Sequence, residues 1–143
     1  MDKFKRIQEE LSGIFGDVTF KAEGYLVHCV KRLHKDRLVV EVYVDGWMKG
    51  EWHKVDENGQ PIHPQGRFWQ PCRGRTFPLK QYPKLKRAVG KAYADKATRL
   101  KVYMCIPTWN STRSLVVHLR KHFPDLQIVE KSETETLVQG ELQ

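Results

Sequence analysis

Phe4, Ile7, Leu11, Ile14 and Phe15 recur three and four residues apart, with Lys3, Lys5, Arg6, Glu9 and Glu10 between them. That spacing lays one apolar stripe along an amphipathic first helix, which Gly16 should stop. β-Branched and aromatic residues then crowd residues 19–22, 25–33 and 37–44, the composition of strands. In the last of these, Leu38, Val40, Val42 and Val44 share one face, and Val39, Glu41 and Tyr43 share the other. Asp45-Gly46 and Asn58-Gly59 accept the positive φ angles of type I′ turns. Together these signals predict a meander of four or five antiparallel strands across residues 18–69.

Beyond Phe68-Trp69 the punctuation changes. Pro71, Gly74, Pro78 and Pro83 predict a loop over residues 70–83. Pro83 suits the first turn of a second helix, where its missing N–H is no loss, and Leu85, Ala88, Val89, Ala92 and Tyr93 would give that helix its apolar face. A short strand is expected at residues 101–106, ended by Pro107. Asn110 or Ser111 can cap a third helix with Leu115, Val116, Leu119 and Phe123 turned inward. Arg120, Lys121 and His122 fall in its last turn, where positive charge suits the helix dipole. Residues 126–129 read as a closing strand. The polar tail from Lys131 reads as frayed, or as an edge strand through Thr134, Thr136 and Val138. The order predicts an α+β fold, a mostly antiparallel sheet packed with about three helices, in a single domain over residues 1–143. No internal repeat and no boundary between two cores is visible.

Length and composition support that picture. A chain of 143 residues should bury roughly two-thirds of its unfolded surface as one domain. An apolar share of 40% is too high for general disorder. No apolar run approaches the ~18 residues that cross a bilayer, and residues 1–15 lack the basic start and apolar stretch of a signal peptide. Three widely spaced cysteines, Cys29, Cys72 and Cys105, suit a reducing compartment better than a disulfide framework. The expected location is the cytoplasm, with no membrane partner.

Charge changes the picture most. Eleven Lys and Arg residues fall within residues 65–101 against one acid, Asp95, whereas residues 1–64 hold ten bases and eleven acids and residues 102–143 four and five. The formal charge of +8 is therefore confined to the middle of the chain. Such a patch costs self-repulsion and attracts polyanions. Lys84, Arg87 and Lys91 are spaced to share one face of the second helix, a row of cations that can follow a phosphate backbone. The preceding segment interleaves Arg67, Arg73 and Arg75 with Phe68, Trp69 and Phe77, and Lys80 follows. Phosphate contact plus ring stacking is how single strands are bound, so Trp69 and Phe77 are candidate stacking residues and Gly74 a point of close backbone approach. A solvated Lys/Arg stripe is commonly only a soluble surface, and Phe68, Trp69 and Phe77 also suit a core. The near-absence of acids favours a polyanion site, because ordinary surfaces intersperse both signs.

Other constellations reach no mechanism. His118 and His122 stand four apart, but an HExxH site needs Glu at the position Leu119 holds. His53, His63 and Cys72 match no zinc spacing. Asp45, Glu51, Asp56 and Glu57 lie near turns and offer Mg²⁺ ligands for a metal-dependent nuclease, although turn carboxylates usually face solvent. No phosphate-cradling loop, no nucleophile elbow and no cofactor signature occurs. Of Trp47 and Trp52, whose odd spacing splits them between faces, one should be core and the other an exposed anchor.

The run Val44-Asp45-Gly46-Trp47-Met48-Lys49-Gly50-Glu51-Trp52, with Arg67-Phe68-Trp69-Gln70-Pro71 and the Lys/Arg-rich helix, resembles small uncharacterised phage and prophage proteins over residues 40–123. The resemblance implies a bacterial-host cytoplasm and a partner that is nucleic acid or a host nucleic-acid machine. The expected function is a non-enzymatic nucleic-acid-binding protein taking DNA or RNA. The alternatives are an inhibitor or adaptor docking on an acidic protein surface and, third, the nuclease.

Overall fold

The alternation in the first half of the chain becomes three strands joined by two-residue turns. They are β1 (Asp17–Ala22), β2 (Tyr25–His34) and β3 (Arg37–Val44) in this computed structural model, which describes residues 2–130. Register places Val18 opposite Cys29 and Cys29 opposite Val42, with Phe20, Val27 and Val44 aligned one step along. All six are buried, so one face of the sheet is a continuous apolar layer. The expected inward set of β3 holds for Val40, Val42 and Val44, while Leu38 lies exposed near the hairpin end.

The helix α1 (Lys3–Glu10) is shorter than its apolar spacing suggests. Phe4, Ile7 and Leu11 are buried, but Ile14 and Phe15 stand in solvent beyond its end, Phe15 at 94% exposure. Gly16 fits there because an added Cβ would come within 2.5 Å of the Glu10 carbonyl oxygen.

The predicted meander stops at β3. Asp45 and Gly46 do adopt positive φ angles of 52° and 81°, and Val44 and Trp47 exchange both backbone hydrogen bonds across the turn. The chain then enters a 3-10 turn at Gly50–His53 instead of a further strand. Asn58-Gly59 is not a type I′ turn either. The Asp56 carbonyl accepts from the Gly59 amide, so Glu57 and Asn58 are the central residues, and only Gly59 has positive φ. Asp56 Oδ1 accepts from the amides of Asn58 and Gln60 and fixes that turn.

Residues 70–83 are less irregular than their prolines suggest. After a 3-10 turn at Pro64–Phe68 comes β4 (Gln70–Gly74), and a 3-10 turn at Leu79–Gln81 leads into α2 (Tyr82–Val89), with Pro83 in its first turn. The single predicted second helix is two helices, because Gly90 (φ 94°, ψ 163°) breaks it before α3 (Lys91–Thr98). Then follow β5 (Lys101–Ile106), β6 (Thr108–Trp109), α4 (Thr112–His122) and β7 (Gln127–Val129). Ser111 caps α4 by accepting from the Ser114 amide, and Leu115, Val116, Leu119 and Phe123 are its buried stripe, as expected.

A five-stranded antiparallel sheet runs β6-β3-β2-β1-β7, and β4 pairs with β5 in a separate two-stranded sheet. The fold is α+β. Its residues gather into two compact units: 1–50, 68–70 and 107–143 form the first, and 51–67 and 71–106 the second. The first holds the large sheet, with α1 and α4 packed together. The second holds the two-stranded sheet and the helix pair α2–α3. The tail beyond residue 130, with its expected edge strand, lies outside the described residues. No helix among the described residues is long and apolar enough to cross a membrane.

Candidate nucleic-acid interface

Charge divides along the same line as the fold. The first unit carries thirteen Lys and Arg residues against thirteen Asp and Glu, whereas the second carries twelve against four. The whole formal charge of +8 therefore belongs to one unit. The ion pairs of Arg6 with Glu10 and Glu130, Arg32 and His34 with Glu41, His28 with Asp17, and Arg120 with Asp2 lie in the other.

The ten cations from Arg73 to Lys101 are all exposed, and among the described residues none of them has an ion-pair partner. Asp95, the acid in their midst, accepts the Tyr82 hydroxyl at 2.6 Å. That bond joins the start of α2 to the middle of α3 and raises the Tyr82 pKa, because the carboxylate holds the phenolic proton. Phe77 N–H donates to the Ala97 carbonyl at 2.9 Å, so the segment before α2 runs back along α3. The two helices thus fold against each other as a hairpin. Its core is small, formed by Ala94, Ala97 and Thr98, which leaves Leu79, Val89 and Tyr93 about half exposed.

Most of the expected site residues fall on this unit, with changes. Arg73, Arg75, Lys80, Lys84, Arg87 and Lys91 are exposed on it, and Arg67 is half-buried. Lys84 and Arg87 share a face of α2, with Arg87 Nε donating to the Pro83 carbonyl. Lys91 opens α3, so the three do not form one straight helical row: the sequence spacing spans a break at Gly90. The apolar face assigned to that row also shifts, since Val89 and Tyr93 are exposed and Ala94 and Ala97 are buried instead.

Trp69 leaves the candidate surface altogether. It is 1% exposed and its indole donates to the Val42 carbonyl at 3.2 Å, the satisfied N–H of a core tryptophan. Phe68 is equally buried, stacked on Phe123 with centroids 4.3 Å apart, and its carbonyl accepts from the Trp109 indole at 3.0 Å. The strongly aromatic pair interleaved with the arginines is thus core of the large sheet. Phe77 is half-buried.

The structure puts another ring where Trp69 was expected. Tyr103 on β5 is 54% exposed, and a Cβ built on Gly74 of β4 would lie 2.9 and 3.3 Å from two of its ring carbons. Gly74 therefore admits this tyrosine rather than a ligand's backbone. Sequence reasoning missed Tyr103 because residues 70–83 read as a loop, which left the strand at 101–106 without a partner. The available signal was Lys101-x-Tyr103, a cation and a ring on one face of a strand.

No protein-family model, curated protein or solved structure matches this chain.

The remaining chemistry is sparse. Among the described residues no group of three or more His, Cys, Asp or Glu side chains is placed to hold a metal ion. Asp45 Oδ1 accepts from the Leu26 amide, and Asp56 is committed to its own turn. His118 lies in a ring cluster, its centroid 5.0 Å from Trp109 and 4.5 Å from His122. None of the three cysteines is in a disulfide. Burial raises the pKa of Cys72, and burial with the neighbouring Cys72 charge raises that of Cys105, so neither is an activated nucleophile. Trp52 is the core member of its pair, and Trp47 is 63% exposed with Lys49 Nζ over its ring.

Proposed function

We propose that this protein binds nucleic acid through its second unit, by contact rather than catalysis. One observation carries the reading: the entire net charge lies on one compact unit, where the ten cations from Arg73 to Lys101 are exposed and, among the described residues, have no ion-pair partner. Neutral surfaces elsewhere on the molecule argue against a merely soluble, evenly charged protein. Arg73, Arg75, Lys80, Lys84, Arg87 and Lys91 contact phosphates in this reading, with Arg67 at the margin. A phage or prophage source and a bacterial cytoplasm belong to the same proposal.

Fluorescence-anisotropy titration with labelled DNA and RNA, at several salt concentrations, tests it. Log K should fall with log salt by about 0.9 per duplex phosphate neutralised, or about 0.7 for a single strand. Reversing Lys84, Arg87 and Lys91 to Glu should abolish binding while circular dichroism stays unchanged. A flat salt response rejects the proposal.

A second reading has its own support. Leu79, Val89 and Tyr93 are exposed beside the cations of α2 and α3, and apolar and tyrosine groups ringed by charge also suit a protein interface. An inhibitor or adaptor of a host nucleic-acid machine would use them against an acidic surface. A stoichiometric acidic partner that survives nuclease treatment, and is lost with the charge-reversal variant, would favour it.

A further inference from the structure

We infer that Tyr103 is a base-stacking platform and that the ligand of the basic unit is single-stranded nucleic acid. This rests on the nucleic-acid reading above and narrows its ligand. The ring lies across β4 at Gly74, where any larger residue would meet it: the added Cβ would fall 2.9 Å from one ring carbon. Gly74 is the last residue of β4, and its lack of a side chain leaves room for the ring. Carbons along one edge of the ring approach Gly74, and Tyr103 is still 54% exposed.

One cation shares that open face. Lys101 precedes Tyr103 by two residues on the same face of β5, roughly 6–7 Å away along the strand. Arg73 precedes Gly74 on β4 and so points to the opposite face, while the exposed Arg75 follows the strand's end. A flat ring with a phosphate-binding group two residues along the same face matches a base and its adjoining backbone, since every base offers a π-face. A duplex hides that face inside its stack and would have to extrude a nucleotide to use it.

Anisotropy titrations of the full chain with a 20-nucleotide oligothymidine, a 20-nucleotide oligouridine and a 20-base-pair mixed duplex test the inference. Wild type should prefer the single strands. Tyr103→Ala should weaken single-strand binding roughly tenfold and leave duplex binding within twofold, because only stacking is removed. The salt slope should stay unchanged. Tyr103→Phe should restore affinity, and Tyr103→Leu, which keeps bulk and fold without a π-face, should not. Equal single-strand affinity for wild type and Tyr103→Leu overturns the platform, even where the triple charge reversal abolishes binding and the nucleic-acid reading stands. Absence of any binding at low salt removes both.

Discussion

Phe68 illustrates how one residue's role is set by what it touches. Its neighbours in sequence are an arginine and a tryptophan, yet its ring packs against Phe123, Phe20 and Tyr25. Truncating it empties a large buried volume, so Phe68→Ala should cost about 3–5 kcal/mol, read as a lower denaturant midpoint at unchanged slope. Cys29 gives a pH-dependent counterpart. Burial pushes its thiol up to about 12, so the folded state keeps a proton that the unfolded chain releases above pH about 9. Folding is therefore insensitive to this group below that range and loses stability as pH rises between the two values. Urea midpoints at pH 8 and pH 10.5 should show the loss, and Cys29→Ala should flatten that part of the profile. The same burial predicts that iodoacetamide labels Cys29 only after unfolding.

Among the elements, the α2–α3 pair depends most on a single backbone angle. Gly90 occupies a region of φ and ψ that is essentially closed to residues with a side chain. The break it makes lets α3 turn back so that Asp95 meets the Tyr82 hydroxyl and Ala97 meets the Phe77 amide. Gly90→Ala should thus cost of order 1–3 kcal/mol, although alanine favours helices. The expected outcome is a lower melting temperature, with hydrogen exchange accelerated in α2 and α3 and unchanged in β1 to β3. A rise in stability would mean that a continuous helix is an acceptable alternative. The spacing of Lys84, Arg87 and Lys91 cannot reveal this break, because helical periodicity continues through the glycine.

For the whole molecule the question is whether net charge or its placement governs binding. Both units contain many lysines, but those of the first are balanced by acids. Replacing Lys5, Lys21 and Lys35 with Glu changes the net charge as much as replacing Lys84, Arg87 and Lys91. Placement predicts that the first triple variant keeps its affinity within about threefold at 0.15 M salt, where screening reaches about 8 Å, while the second loses binding. Equal losses would make the attraction a diffuse property of the protein. The exposed Leu79, Val89 and Tyr93 sharpen the contrast, since the second unit has little large apolar side chain to spare for a core.

Much of this was written in the sequence. The three hairpin strands, the capped α4 with its inward stripe and the closing β7 follow from local periodicity and turn chemistry, which act over a few residues. So does the concentration of positive charge, which composition alone reveals. Tertiary structure decided which aromatics were available. Trp69 and Tyr103 are both aromatic residues near arginines or lysines in sequence, and no local rule distinguishes them. Trp69 reaches the Val42 carbonyl across 27 positions and is buried, whereas Tyr103 lies over Gly74, 29 positions earlier, and stays open. Burial is a property of contacts between distant segments, and those contacts form only when the chain folds.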